Sequence, residues 1–463
     1  MLNAANKKFP DPPATLHFIG LKGVAMTALA EILQGQGYTI VGSDTAEVFP
    51  TDQVLKNLNI HCAPGFAAEN IGPSIAAIVY STAYTRDHIE RREAQGRGLP
   101  EWSYPEVVGF LMTMYTHSIA VAGSHGKTTT TAMLARMLEE GGLDPTAIVG
   151  STVINWGRNA RLGASPWFVL EADEYQNKFQ YYAPRHLIIT NIDYDHPDYF
   201  PDIESYQKVF IDFAAKLPAD GTLIIWGEEP LKSQLRANCS SKFITYGEGE
   251  NNDWRLVDVA IADDTSFKVT KNGNHYGDFT IPAAGFHYAL NALGAMVMAE
   301  VAGVGQKAIA LALKNFRGTA RRLEYRGEFN NAIIIDDYAH HPTEIKATIK
   351  ALRAGHPGKR LWCVWQAHTF SRTAAFLEDF ARALDGADQV ILPPIYASAR
   401  EKGGEVNNQI MASAVNSLSS NKAQAVSSIE EAADVLRGVL KDGDVVVTMG
   451  AGDVWRAAEM IMN

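Results

Sequence analysis

The stretch SIAVAGSHGKTTTTAMLARMLEEGG constrains this chain more than any other. An apolar run breaks at Gly123, turns through Ser124, His125 and Gly126, and re-enters at Lys127 as a long amphipathic pattern. Strand, glycine turn and helix in that order make one half of a parallel β–α–β unit, and such a turn lets backbone N–H groups approach phosphate oxygens. Lys127 can neutralise charge on the β- and γ-phosphates, and the hydroxyl of Thr128 can serve as a ligand for Mg2+. Only Ser124 and His125 separate the two glycines, so the loop is shorter than G-x-x-x-x-G-K-[ST] and differs from that of common motors and GTPases.

The same alternation runs through the chain. From Thr15, LHFIG reads as a strand, MTALAEILQGQGY as a helix and IVGSD as a second strand ending at Asp44. Its turn, with Gly20, Lys22, Gly23 and Ala25, matches G-x-G-x-x-G only in part, and the residues alone leave an ordinary tight turn equally open. Downstream, WFVLEADEY, HLIITNIDYDHPDYF and TLIIWGEE read as strands, with IESYQKVFIDFAAKL as a helix between them. This predicts a mostly parallel sheet whose ligands bind at the carboxyl ends of the strands. Glu171, Asp173, Glu174, Asp193, Asp195 and His196 fall at such ends, where hard oxygen ligands suit Mg2+.

Residues 254–282 show short alternating runs that predict hairpins inserted in, or flanking, this second unit. GFHYALNALGAMVMAEVAGV then reads as a helix entered through Gly285 and His287; spacing alone favours buried or capping roles for His287 and Asn291. FRGTARRLEYRGE is a polar, basic boundary before a third alternating region that contains AIIIDDYAHHP, RLWCVWQ, QVILPP and DVVVTMG. Asp336, Asp337, His340 and His341 stand where its first strand ends. No third partner stands at metal-site spacing from the two histidines, so the spacing favours polar contacts in a loop facing another domain.

At about 150 residues per domain, 463 residues give roughly three domains. The expected fold is α/β in three parts. These are a Rossmann-like N-terminal domain (1–115), a central phosphate-loop ATPase-like domain with a parallel sheet (116–322), and a C-terminal Rossmann-like domain (323–463). A net charge of -11 argues against nucleic acid as a partner. Cys62, Cys239 and Cys363 lack CxxC spacing and read as reduced, buried thiols. Residues 1–13 are polar and Pro-rich without a signal-peptide pattern, and no apolar run approaches the ~20 residues of a membrane span, so a cytoplasmic protein is expected.

Together these residues resemble the Mur ligase family, ATP-dependent amide-forming enzymes of bacterial cell-wall precursor synthesis, over nearly the whole chain. GSHGKTTTT is similar to the family's loop G-T-H-G-K-T-T-T, EADE and TNIDYDH to its magnesium motifs, and HYALN to its H-N-x-x-N motif with Tyr288 replacing Asn. ARRLE, DDYAHHPTE and GAGD complete the order. FIGLKGVAMTALA, DDYAHHPTEIKATIKALR and AHTFSRTAAFLEDFA are similar to the branch that joins L-alanine to UDP-N-acetylmuramate. EADEY is instead similar to the branch that attaches a recycled L-alanyl-γ-D-glutamyl-diaminopimelate tripeptide to the same sugar nucleotide.

The resemblance implies ATP held by Gly123, Ser124, His125, Gly126, Lys127, Thr128 and Thr129, with His287 and Asn291 on the adenine side, Arg321 in the linker and Asp337 on the ribose. It implies Mg2+ on Thr128 and Glu171, and a second ion on His196. Gly20, Gly23, Asp44 and Ser81 line the sugar-nucleotide site in this reading, His125 stands between the substrates, and His368 and Arg372 face the amino acid. Lys127, Glu171, His196, His341 and Arg372 form the catalytic set, with His340 and His341 as candidates for the base that deprotonates the amine. A monomer or homodimer with no membrane partner is expected. Lys22 departs from a position usually glycine, its charge either meeting the pyrophosphate or projecting to solvent. Several members carry a carbamylated lysine, but Lys208, the nearest after the Asp-His pair, does not fit the spacing. An ATP-gated binding protein would be expected to lack Lys127 or the metal acids, and an oxidoreductase would need a standard first turn. A kinase would leave a stable phosphorylated sugar when no amine is supplied.

Overall fold

The computed structural model describes residues 8–397, 403–419 and 421–463; the first seven residues of the polar N-terminal stretch lie outside the described residues. Three sheets follow one another along the chain. The first has five parallel strands in the order His61–Pro64, Thr39–Asp44, Thr15–Ile19, Ile75–Tyr80 and Glu101–Ser103. Leu16 and Phe18 are fully buried, and helix Val24–Gly35 lays Leu29, Ile32 and Leu33 against them.

The second sheet has ten strands. Its centre runs Thr222–Trp226, His186–Ile189, His117–Ala122, Trp167–Glu171 and Thr146–Val153, all parallel. Residues 254–282 do form hairpins: strands Trp254–Ile261, Thr265–Lys271 and Asn274–Ile281 make an antiparallel meander. They extend the central sheet, because Tyr246 and Gly247 pair with Trp254 and Arg255. Helices Lys127–Glu140 and Phe286–Val301 pack together over one face, burying Met133, Met137, Leu293 and Met296. The third sheet has six strands, Glu324–Phe329, Ala332–Asp337, Val445–Met449, Leu361–Trp365, Gln389–Leu392 and Ala423–Ala425, with only the first antiparallel.

The packing separates the third sheet from the other two. Phe18, Leu29 and Leu33 of the first sheet unit share one continuous apolar core with Phe168, Leu170 and Phe210 of the second. The third sheet encloses its own two cores, around Trp365 and Phe380 on one face and Val446 and Leu436 on the other. A unit with its own core that meets its neighbour through polar groups is the one free to move as a body.

Two local expectations fail for physical reasons. Of HLIITNIDYDHPDYF, only His186–Ile189 is strand, since Thr190, Asn191 and Asp193 turn to satisfy the phosphate loop. The boundary FRGTARRLEYRGE is not all connector, because Glu324–Phe329 pairs with Ala332–Asp337 across a turn in which Asn330 and Asn331 take φ 51° and 60°. Two successive positive φ values mark a hairpin turn that matches strand twist. Cys239 and Cys363 are buried free thiols, whereas Cys62 is half-buried, its thiol pushed up to about 12 by burial. Among the described residues, no helix is long and apolar enough to cross a membrane.

Candidate active site

Strand register brings the functional groups to one edge. His117–Ala122 lies between Trp167–Glu171 and His186–Ile189, with Val121 opposite Glu171 and Ala122 opposite Ile189. Their carboxyl ends therefore deliver the phosphate loop, Glu171 and residues 190–196 side by side. Gly123 has φ 132°, and a Cβ there would lie 2.1 Å from Thr190 Oγ1; at Gly126, φ is 79° and a Cβ would lie 2.3 Å from Asn291 Oδ1. Both positions demand glycine. Asn191 clamps the turn from beside, its Oδ1 accepting from His125 N at 3.0 Å and its amide donating to His125 O at 3.1 Å. Lys127 folds back over the loop, donating to the carbonyls of Gly123 and Ser124 and pairing with Glu174 at 3.0 Å.

The carboxylates form two groups. Thr128 Oγ1 donates to Glu171 at 2.8 Å, and Gly150 N donates to the other carboxylate oxygen at 2.5 Å. Burial raises the Glu171 carboxyl above the ordinary range. Asp173, Glu174 and His196 each offer a ligand atom within 4.8 Å of the others. Burial opposes the Asp173 carboxylate, yet Lys178, His196 and Lys127 hold it down at about 2. Hydroxyl and carboxylate oxygens at the loop are donors that fit hard divalent cations, and in the second group one histidine joins two carboxylates, an unusual but permissible addition. His196 thus stands with Asp173 and Glu174. Lys208 lies elsewhere, on helix Ile203–Ala214, paired with Asp212 in solvent.

Two cavities open on this edge. One of about 420 Å3 is lined by Gly126, Thr129, His287 and Asn291, with apolar walls from Trp226 and Leu290 and the acids Glu229 and Asp337. His287 is not a simple cap: burial and Arg322 push it down to about 4 within this cavity. Burial lifts Asp337 to about 6, although it accepts from Leu323 N and Ala339 N at 2.7 and 2.8 Å. The second cavity, about 700 Å3, joins all three sheet units. Val24 and Thr51 of the first, Lys127, Thr128, Glu171 and His196 of the second, and His340 and Trp455 of the third line it.

Arg321 and Arg322 divide their work unexpectedly. Arg321, at φ 59°, turns its guanidinium into the third unit, onto Asp336 at 2.9 Å and the carbonyls of Gly450 and Gly452. Arg322 is the one that lines the smaller cavity, 3.7 Å from Glu344.

The third unit meets the second through charged groups and a ring contact, Tyr194 edge-on to Phe376. Arg372 donates through Nε and a terminal nitrogen to Asp195 Oδ1 at 2.9 and 2.8 Å, and its other terminal nitrogen lies 3.5 Å from His368 Nδ1. Burial opposes the Asp195 carboxylate, but Arg372, His196 and the neighbouring histidines hold it well below the usual range. Thr343 donates to Asp193 at 2.6 Å, and His341 Nε2 lies 3.3 Å from the Tyr194 carbonyl. His341 also has partners that sequence spacing hides, since its ring lies 4.7 Å from that of His125 and 3.6 Å from Asp193. Burial works against the His125 imidazolium, yet Asp193 and Glu344 raise it to about 9. Burial lowers His341, and it pushes His340 down to about 3.

In the first unit, Gly20 donates to the Ser43 carbonyl at 2.9 Å, and Gly23 stands before helix Val24–Gly35. Asp44 accepts from Lys22 N and Thr45 N at 2.7 and 2.8 Å, and Ser81 N donates to the Ile19 carbonyl at 3.1 Å. Lys22 does not project to solvent. It is buried, donating to the carbonyls of Thr45 and Glu47 and pairing with Asp52 at 3.2 Å. Sequence reasoning also missed Lys178, which pairs with Asp173, and Tyr206, whose hydroxyl donates to Glu174 at 3.0 Å. Neither carries a motif signal, because each acts through a fold contact.

Comparison with known proteins follows the same order along the chain. Residues 15–116 match the domain described as "Mur ligase family, catalytic domain", 121–299 the Mur ligase middle domain, and 321–452 the "Mur ligase, glutamate ligase domain". The chain is 39% identical over 455 residues to a UDP-N-acetylmuramate–L-alanine ligase of Desulfitobacterium hafniense, covering 97% of this chain and 100% of that one. The crystal structure of the UDP-N-acetylmuramate–alanine ligase of Thermotoga maritima superposes with a TM-score of 0.83 at 25% identity, covering 97% of this chain and 98% of that one. A murein peptide ligase of Psychrobacter arcticus superposes with a TM-score of 0.74 at 25% identity and the same coverage.

Proposed function

The chain belongs to the Mur ligase family, and from that premise we propose that it joins the amine of L-alanine to the muramoyl carboxylate of UDP-N-acetylmuramate at the expense of ATP. The observation that carries this reading is the larger cavity, in which the phosphate loop, the loop carboxylates and residues of all three units face one space. The full-length similarity to alanine ligases, and the higher structural similarity to an alanine ligase than to a murein peptide ligase, support L-alanine as acceptor.

The smaller cavity takes the adenine and ribose in this reading, between Trp226, His287, Leu290 and Asn291, with Asp337 on the ribose. The loop amides and Lys127, released from Glu174, hold the phosphates. Thr128 and Glu171 would hold one Mg2+, and Asp173, Glu174 and His196 a second. Such ions supply screening between the γ-phosphate and the muramoyl carboxylate. A carboxylate oxygen bonds to the γ-phosphorus as ADP leaves, giving an acyl phosphate. The amine then bonds to the acyl carbon, phosphate leaves with one former carboxylate oxygen, and the amine gives up a proton. His340, at about 3, is a poor acceptor for that proton, so the role falls to the neutral His341 or to solvent. Gly20, Gly23, Asp44 and Ser81 hold the UDP moiety, and His368 and Arg372 the alanine carboxylate. Closure of the third unit through Arg372 and Thr343 keeps water from the acyl phosphate.

The test uses UDP-N-acetylmuramate labelled with 18O in the carboxylate. Transfer of one 18O into the released phosphate, together with the mass of the L-alanyl product, supports the reading. Product without label transfer refutes the acyl-phosphate route, and no product with L-alanine refutes the acceptor.

A further inference from the structure

Apart from the loop carboxylates, a second set of metal-type donors lies where the second and third units meet. His125 comes from the phosphate loop, Asp193 from the segment after His186–Ile189, and His341 from the residue that caps helix Pro342–Gly355. One ligand atom of each lies within 4.8 Å of the others. His125 Nε2 is 3.0 Å from Asp193 Oδ2, and His341 Nδ1 is 3.6 Å from the same oxygen. The far nitrogen of His341, Nε2, lies 3.3 Å from the Tyr194 carbonyl, and that of His125, Nδ1, lies 3.3 Å from the Glu344 carboxylate, an ion-pair distance without hydrogen-bond geometry. Imidazoles that bind metals are oriented in this way, one nitrogen toward the ion and the other fixed by a carboxylate or carbonyl. Thr343 N donates to His341 Nδ1 at a long 3.4 Å, so that nitrogen carries the lone pair, which an ion takes in place of this weak capping bond.

We propose that His125, Asp193 and His341 form a site for one transition-metal dication of the zinc or cobalt class, separate from the magnesium positions. Two imidazoles and one carboxylate favour zinc, cobalt or nickel over magnesium, which prefers a mostly oxygen donor set. Three protein ligands leave coordination positions for water. The ion displaces the proton shared between His125 Nε2 and Asp193, so one proton is released for each ion bound. Because the ligands come from two units, the ion binds only their closed arrangement and stabilises it. It also occupies His341, so it opposes turnover.

Binding is read directly on the full-length protein, free of nucleotide and magnesium, by titration with CoCl2. One equivalent is expected to remain bound, with visible d–d absorption, once saturating MgCl2 fills the loop positions, and X-ray absorption of that complex is expected to show two imidazole nitrogens. His341→Ala weakens it by about tenfold or more, and His196→Ala, at the other cluster, leaves its affinity unchanged. Displacement by magnesium, a complex with fewer than two imidazoles, or undiminished affinity in His341→Ala overturns the proposal. The competition and the X-ray absorption need no variant, so they decide the matter even where a substitution disturbs folding.

Discussion

Replacing Arg372 by alanine separates substrate recognition from closure. The guanidinium holds Asp195 through two nitrogens at 2.9 and 2.8 Å, and both side chains are about 5% exposed (5% and 6%). Removing one partner of a buried pair costs about 3–5 kcal/mol, because the remaining charge is left unpaired. That cost falls on the closed arrangement, since Asp195 and Arg372 belong to different units. A second effect concerns the acceptor. Asp195 takes one edge of the guanidinium, and in the proposed role the other terminal nitrogen, 3.5 Å from His368, receives the alanine carboxylate. Loss of one charge-assisted hydrogen bond, about 1.5–3 kcal/mol, raises the KM for L-alanine roughly 10- to 150-fold. Initial rates measured against each substrate give the comparison. The KM for ATP, which feels only the cost to closure, is expected to rise less than that for L-alanine, and Arg372→Lys, which keeps the charge but not the fork, to recover only part of the loss. Equal losses for L-alanine and ATP would refute the reasoning and leave Arg372 as a closure contact alone.

Three further outcomes are expected. Lys127→Ala abolishes ligation while calorimetry still detects UDP-N-acetylmuramate binding; undiminished turnover contradicts the role of the loop. Gly126→Ala forces an L-residue to φ 79°, costing about 1–2 kcal/mol, and drives its Cβ onto Asn291; lower Tm and weaker ATP binding are expected, and unchanged values for both count against the argument. His125 rises from 6.5 to about 9 on folding, so its contribution, on the order of 3 kcal/mol, is full below pH 6.5 and disappears as pH rises through about 9. Urea midpoints across that window are expected to fall for the wild type and less steeply for His125→Asn, and a rise in the wild type contradicts the sign.

Local chemistry was legible in the sequence where one segment carries it. Gly123, Gly126 and Lys127 announce their loop because the backbone there admits only glycine and the strand and helix are contiguous. Contacts between units were not legible. The partners of His341 lie on the phosphate loop and beyond His186–Ile189, brought together only by the meeting of two sheets. The division between Arg321 and Arg322 turns on the positive φ of Arg321, which no composition rule reveals in an arginine. Lys22 showed its charge but not its direction, and burial against Asp52 and two carbonyls gives it a structural role.

The acceptor amine is the central claim, and one paired assay tests it. Purified protein with ATP, Mg2+ and UDP-N-acetylmuramate receives L-alanine in one reaction and L-alanyl-γ-D-glutamyl-diaminopimelate in the other, with phosphate release and product mass measured in both. Release and ligated product with L-alanine alone are the predicted result. Release with the tripeptide alone contradicts it, making EADEY the informative motif and the protein a ligase of recycled peptide.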